Sequence, residues 1–132
     1  MDRKKLIKRL LILIFFIFVV NFFANKFYLY SSIWYFDMIM HFLGGFWVGL
    51  ACLYFFVPKI LSLKSILTIL LFVLFIGVGW EIFEALVDRV ITQNLLNILD
   101  LSSDIFFDLS GGALAILYFF KRIMFVKENE IQ

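Results

Sequence analysis

Four apolar stretches, each near the length that crosses a bilayer, divide this chain and leave it few alternatives. A transmembrane helix needs about 20 mostly apolar residues. The stretches run over about 6–24, 33–57, 66–87 and 105–124. The expected fold class is therefore all-α: an integral membrane four-helix bundle. Composition points the same way, with 64% hydrophobic residues, 19 Phe and a single Pro among 132 residues, and a mean hydropathy of +1.04. A water-soluble domain of this size could not hide so much apolar side chain. The length fits one transmembrane domain over 1–132 with no room for a second. The lone Cys52 excludes an internal disulfide and reads as packing. Basic residues precede the first stretch as in a signal peptide. Phe22, Phe23 and Ala24 lack the small-residue cleavage pattern, so it reads as a retained anchor.

Lys and Arg set the expected orientation, since they are enriched in cytoplasmic segments. Arg3, Lys4, Lys5, Lys8 and Arg9 precede span one; Lys59 and Lys64 follow span two; Lys121, Arg122 and Lys127 follow span four. With four spans these fall on one side, and only Lys26 and Arg89 fall on the other. Both termini are expected in the cytoplasm of a cell with the protein in its plasma membrane. Tyr28, Tyr30, Trp34 and Tyr35 would form an outer aromatic belt. Pro58 marks the stop of span two. Ser102 or Ser103 is the expected cap of span four. Between spans three and four, TQNLLNILDLSS is too short to cross and reads as a short interfacial helix or a lid over residues 92–103.

Against this apolar background, polar residues are conspicuous. Of ten acidic residues, seven lie in or beside the spans: Asp37, Glu81, Glu84, Asp88, Asp100, Asp104 and Asp108, with the only histidine, His41. A carboxylate at membrane depth costs roughly 2.5–3.5 kcal/mol on insertion scales and marks a functional site by default. Span two runs inward, so Asp37 and His41 come early in it. Span three runs outward, so Glu81 and Glu84 come late, and span four runs inward again, so Asp104 and Asp108 come early. At 1.5 Å per residue all fall within roughly 10–15 Å of the outer boundary. Spacings of three, four and seven put each set on one helix face. Asn21 and Asn25 give span one a polar stripe at the same end. Gly45 with Gly49, Gly77 with Gly79, and Gly111 with Gly112 supply small residues for close helix packing.

Crowded carboxylates in a dry pocket cannot all carry charge unopposed. A divalent cation can neutralise them, held by oxygen ligands and one imidazole; the expected metal set is His41, Glu81, Glu84 and Asp108. Shared protons can do so through acid–base groups. A cationic or polyhydroxylated headgroup from the outer leaflet is the third way. Asp88 and Asp100 read as rim residues, and Trp47 and Trp80 as packing.

The arrangement Asp37-x3-His41-Phe42, Gly45-Phe46, Glu81-x2-Glu84 and Asp104 leading to Gly111-Gly112 resembles the VanZ-like and YjdF-like families of small bacterial membrane proteins. The DLSSD of Asp100 to Asp104 resembles the stretch after the paired glutamates in YjdF-like proteins. The resemblance covers roughly residues 37–115. VanZ-like sequences typically carry Gln near Glu84 and Asn near Asp108; the acids here place the chain closer to the YjdF-like side. VanZ-like proteins are associated with resistance to a glycopeptide antibiotic, so the resemblance implies a cell-envelope role and no stated reaction.

The sequence thus leads to an acidic site opening toward the outer leaflet. Its candidate catalytic or ligand residues are His41, Glu81, Glu84, Asp37, Asp104 and Asp108, with Asp37 orienting His41. The expected role is binding or modifying a lipid or lipid-linked headgroup with a divalent cation. Two other classes stay open: an ion- or proton-coupled transporter or channel subunit, and a non-catalytic assembly protein. The expected partners are the bilayer, that headgroup and, as an open option, further copies of the chain; no nucleic acid is expected. No nucleophile motif or phosphate loop is present, so the sequence leaves open whether the protein is an enzyme.

Overall fold

The computed structural model describes residues 3–56, 62–91, 93 and 97–129, with side chains among these from residue 4 to 122. The described residues form helices α1 (Arg3–Lys26), α2 (Leu29–Ser32), α3 (Phe36–Phe56), α4 (Leu63–Ile91) and α5 (Ile98–Asn129). Four are long and apolar enough to cross a membrane, over Lys4–Lys26, Phe36–Phe56, Leu63–Ile91 and Ile98–Arg122. Helices satisfy every backbone group internally, which the bilayer core demands. Large apolar side chains face outward along their length, Phe15 at 69% and Phe75 at 73% exposure among them. That is the surface of a protein solvated by lipid.

The helix boundaries have local causes. Ser62 caps α4, its Oγ accepting the Ser65 N–H at 3.2 Å, an N-cap contact that satisfies an orphan donor. The start of α5 departs from expectation. It begins at Ile98 rather than near 105, with Asn97 Oδ1 accepting the Leu99 N–H at 3.2 Å. Ser102 and Ser103 are therefore not caps. Their hydroxyls donate back to the carbonyls of Ile98 at 2.7 Å and Asp100 at 2.8 Å, inside the helix. The segment expected as a short helix or lid divides accordingly: residues 98–103 are the first turns of α5, while residues 92 and 94–96 lie outside the described residues. Pro58, the expected stop of span two, also lies outside them.

Between α1 and α3 the chain turns at Tyr28, whose φ of 57° is left-handed. The Tyr28 carbonyl accepts the hydroxyls of Ser31 at 3.0 Å and Ser32 at 2.8 Å. These bonds hold α2 as a single short turn between α1 and α3.

The packing is uneven. At the end where the chain begins, Leu6 and Leu10 of α1 join Leu50, Leu53, Ile69, Ala115, Ile116 and Phe119 in one apolar cluster. The Arg9 guanidinium reaches across it to the Tyr118 hydroxyl and lies 5.8 Å from that ring's centre. Toward the other end, α3 and α5 come together on glycine. A Cβ at Gly45 would fall on the Asp108 carbonyl and 2.6 Å from the Asp108 Cα; one at Gly111 would fall on the Phe42 carbonyl. One at Gly49 would meet Ala115 Cβ at 2.8 Å. Backbones this close let two helices carry their polar turns into direct contact.

Candidate functional site

The glycine seam sets the distance between His41 on α3 and Asp108 on α5. His41 Nδ1 lies 3.4 Å from Asp108 Oδ2. The other ring nitrogen, Nε2, lies 3.4 Å from Glu81 Oε1 on α4 and 3.7 Å from Asp37 Oδ1, one turn back on α3. The imidazole is thus the hub of three helices. Gly77 on α4 makes room for the Asp108 carboxylate: a Cβ there would come within 2.5 Å of Asp108 Oδ2. Among the described residues, His41 is the only basic side chain with a nitrogen within 4.0 Å of the carboxylates of Asp37, Glu81 or Asp108.

The site is dry at its centre. His41, Glu81, Asp104 and Asp108 are at most 8% exposed. Ser103 Oγ donates to Asp104 Oδ1 at 3.4 Å. Glu81 Oε1 is fully buried and has no hydrogen-bond partner. A buried carboxylate oxygen without a donor is costly, and it stands where a cation or a hydrogen-bond donor is wanted. One ligand atom each from His41, Glu81 and Glu84 lies within 4.8 Å of the others, and the same holds for Asp37, His41 and Asp104. Two ligands of one ion, bound at about 2.0–2.6 Å, can be at most roughly 4–5 Å apart. Both sets lie within that reach. They share His41, so they describe alternative placements in a single centre. The donor chemistry, mostly hard carboxylate oxygen with one imidazole, suits Mg²⁺, Mn²⁺ or Zn²⁺.

Beside this centre lies a cavity of about 880 Å³, lined by Asp37, His41, Glu84 and Asp108 and by residues of α1. Glu81 and Asp104 do not line it. Asp88 and Asp100, read from the sequence as rim, do line it.

Three further residues enter here. Tyr30 donates to Asn21 Oδ1 at 2.6 Å, and Asn25 Nδ2 donates to the same oxygen at 3.2 Å; all three line the cavity. Burial, then the nearby Asp37 and Glu84 carboxylates, pushes the Tyr30 phenol up to about 12 from 10.0. The asparagine pair was visible as a stripe. Nothing in the sequence separated Tyr30 from its neighbours in the aromatic belt. Trp47 also does more than pack: its indole N–H donates to the Leu10 carbonyl at 3.0 Å, tying α3 to α1 at the cavity floor.

Four membrane-length helices around a buried carboxylate–histidine centre define a multi-pass membrane protein of unknown function. Residues 1–124 match the family described as "Predicted membrane protein (DUF2238)", and the chain belongs to that family. No curated protein and no solved structure matches it.

Proposed function

We propose that this protein has a cell-envelope role: its carboxylate–histidine centre binds or modifies a lipid or lipid-linked headgroup, with a divalent cation. His41, Glu81 and Glu84 are the ion's ligands, Asp108 orients His41 through Nδ1, and Asp37 and Asp104 complete the acidic lining. Metal-ligating histidines usually give their second ring nitrogen to a carboxylate in this way. The observation that carries the reading is the orphaned Glu81 Oε1, buried 3.4 Å from His41 Nε2. The distribution of Lys and Arg supports an orientation with the site toward the outer leaflet of the plasma membrane and both termini cytoplasmic. The resemblance of residues 37–115 to VanZ-like and YjdF-like proteins supports the envelope assignment.

A transporter would need polar groups through the full bilayer. The described lining of the cavity stops at Ile14 and Val73, near the middle of α1 and α4, which favours the headgroup reading.

The test is cation-dependent stability. An ion at a hundred times its dissociation constant stabilises the folded state by about 2.7 kcal/mol. Purified wild type should gain thermal stability with one of Mg²⁺, Mn²⁺ or Zn²⁺, and Glu81→Gln and His41→Ala should lose that gain. Wild type and Glu81→Gln that respond identically to every ion would remove the metal, and folded variants with full cellular function would remove the site.

A further inference from the structure

The headgroup reading leaves one feature unused. Among the described residues, the α1 backbone comes close to α2 and α3 and does not approach α4. Yet α1 and α4 line opposite walls of one cavity. Beyond the apolar cluster that Leu6 and Leu10 share with Ile69, the two walls stand apart and leave a slot between them.

The lining of that slot changes with depth. Ile14 and Ile17 of α1 and Val73 and Ile76 of α4 form its deep part. Asn21 and Asn25 of α1 and Glu84 and Asp88 of α4 form its mouth. Ile14 to Asn25 is 25 − 14 = 11 residues, roughly 16 Å at 1.5 Å per residue. A bilayer's hydrocarbon is about 30 Å thick. The cavity is one leaflet deep, apolar where it reaches mid-membrane and polar where it reaches the surface. The deep part, lined by Ile14, Ile17, Val73 and Ile76, offers water no polar partner. At 880 Å³ it lies in the size range of small-molecule sites. Among the described residues, its only charged lining residues are His41 and the carboxylates of Asp37, Glu84, Asp88, Asp100 and Asp108.

We infer that the cavity takes an amphiphile sideways from the leaflet. Its hydrocarbon chain lies between α1 and α4, and its amine-bearing headgroup meets the carboxylates at the mouth. This rests on the headgroup reading and adds the chain, the route and the sign of the headgroup. The amine follows from the lining, which among the described residues offers carboxylates and no Lys or Arg.

Trp47 reports on the cavity floor. The full chain carrying Trp34→Phe and Trp80→Phe, so that Trp47 is the sole indole, is reconstituted in phosphatidylglycerol vesicles. Chain-brominated phosphatidylethanolamine or chain-brominated phosphatidylglycerol is then added. Trp47 should be quenched by both, with half-quenching at roughly tenfold lower content of the ethanolamine lipid, the worth of one hydrogen bond to a charged group. Asp37→Asn with Asp100→Asn, which leave the ion's ligands in place, should remove that preference. Ile17→Phe with Ile76→Phe, which fill the slot, should protect Trp47 from both lipids. Quenching by aqueous acrylamide but not by brominated chains would overturn the inference and leave the headgroup reading standing. Equal quenching by the two lipids, still blocked by the phenylalanines, would keep the chain in the slot and overturn the amine headgroup.

Discussion

The seam between α3 and α5 and the gap between α1 and α4 are opposite solutions to one problem. Both must bring polar groups together inside a membrane. The seam does so by removing side chains: Gly45, Gly49 and Gly111 let the backbones touch, and His41 and Asp108 meet across the contact. The gap does so by leaving space, with asparagines on one wall and carboxylates on the other. The seam fixes geometry without adaptability, and the gap offers room without fixed partners. A site that must hold an ion or headgroup in place, yet admit it from the membrane, has use for both.

The sharpest way to break the comparison is to force the seam apart. Gly45→Ala puts a methyl on the Asp108 carbonyl and within 2.6 Å of its Cα. Backbone cannot rotate away as a side chain can. The expected loss is about 3 kcal/mol or more, at or beyond the usual range for overpacking, read by unfolding in detergent. A folded Gly45→Ala protein of normal stability would show that the seam is not closed as described.

Gly77→Ala acts at the same turn but on a movable partner. Its methyl would come within 2.5 Å of Asp108 Oδ2, and the Asp108 side chain can swing away from His41. Stability should fall by about 1–2 kcal/mol. The gain in thermal stability from divalent cations should disappear with it. Gly77→Ala that keeps the full gain would separate Asp108 from the centre.

How much of this was legible from the sequence follows from which signals are periodic. The spans announced themselves through length and hydropathy. The polar stripes announced themselves through spacing, so the meeting of α3, α4 and α5 was visible before any coordinates. The start of α5 was not. Ser102 and Ser103 look like caps in sequence, because Ser favours both an N-cap and a back-bond to the preceding helical turn. Only the fold decides between them, and here Asn97 takes the cap. The gap was not legible either. It depends on α1 leaning on α3 and not on α4, and a stripe with Asn21 and Asn25 at its end does not say which neighbour it faces.

Tyr30 sharpens the comparison from the gap side. Its hydroxyl is bonded to Asn21 at 2.6 Å, which holds the mouth of the gap to α2. Tyr30→Phe should cost about 1 kcal/mol, the net worth of one hydrogen bond. The phenol's pKa is raised to about 12 from 10.0. Its contribution is therefore fully present below pH 10 and is lost as pH rises through about 12, because the unfolded chain gives up this proton first. An ultraviolet titration of wild type against Tyr30→Phe should show the missing tyrosinate step near pH 12. A missing step near pH 10 would place Tyr30 in open water, away from the carboxylates.

The smallest effect gives the closest control. Gly44 sits one residue before Gly45 on the same helix, but it lines the cavity, and a Cβ there would meet nothing within 4 Å. Glycine in a helix interior is less favourable than alanine by roughly 0.5–1 kcal/mol. With no contact to oppose it, Gly44→Ala should raise stability by about that amount and leave the cation response unchanged. Adjacent substitutions of one methyl group would then have opposite signs, set by whether the methyl points into the seam or into the gap. A Gly44→Ala protein as damaged as Gly45→Ala would mean that the cavity wall is filled by another part of the chain, and the difference between seam and gap would fall.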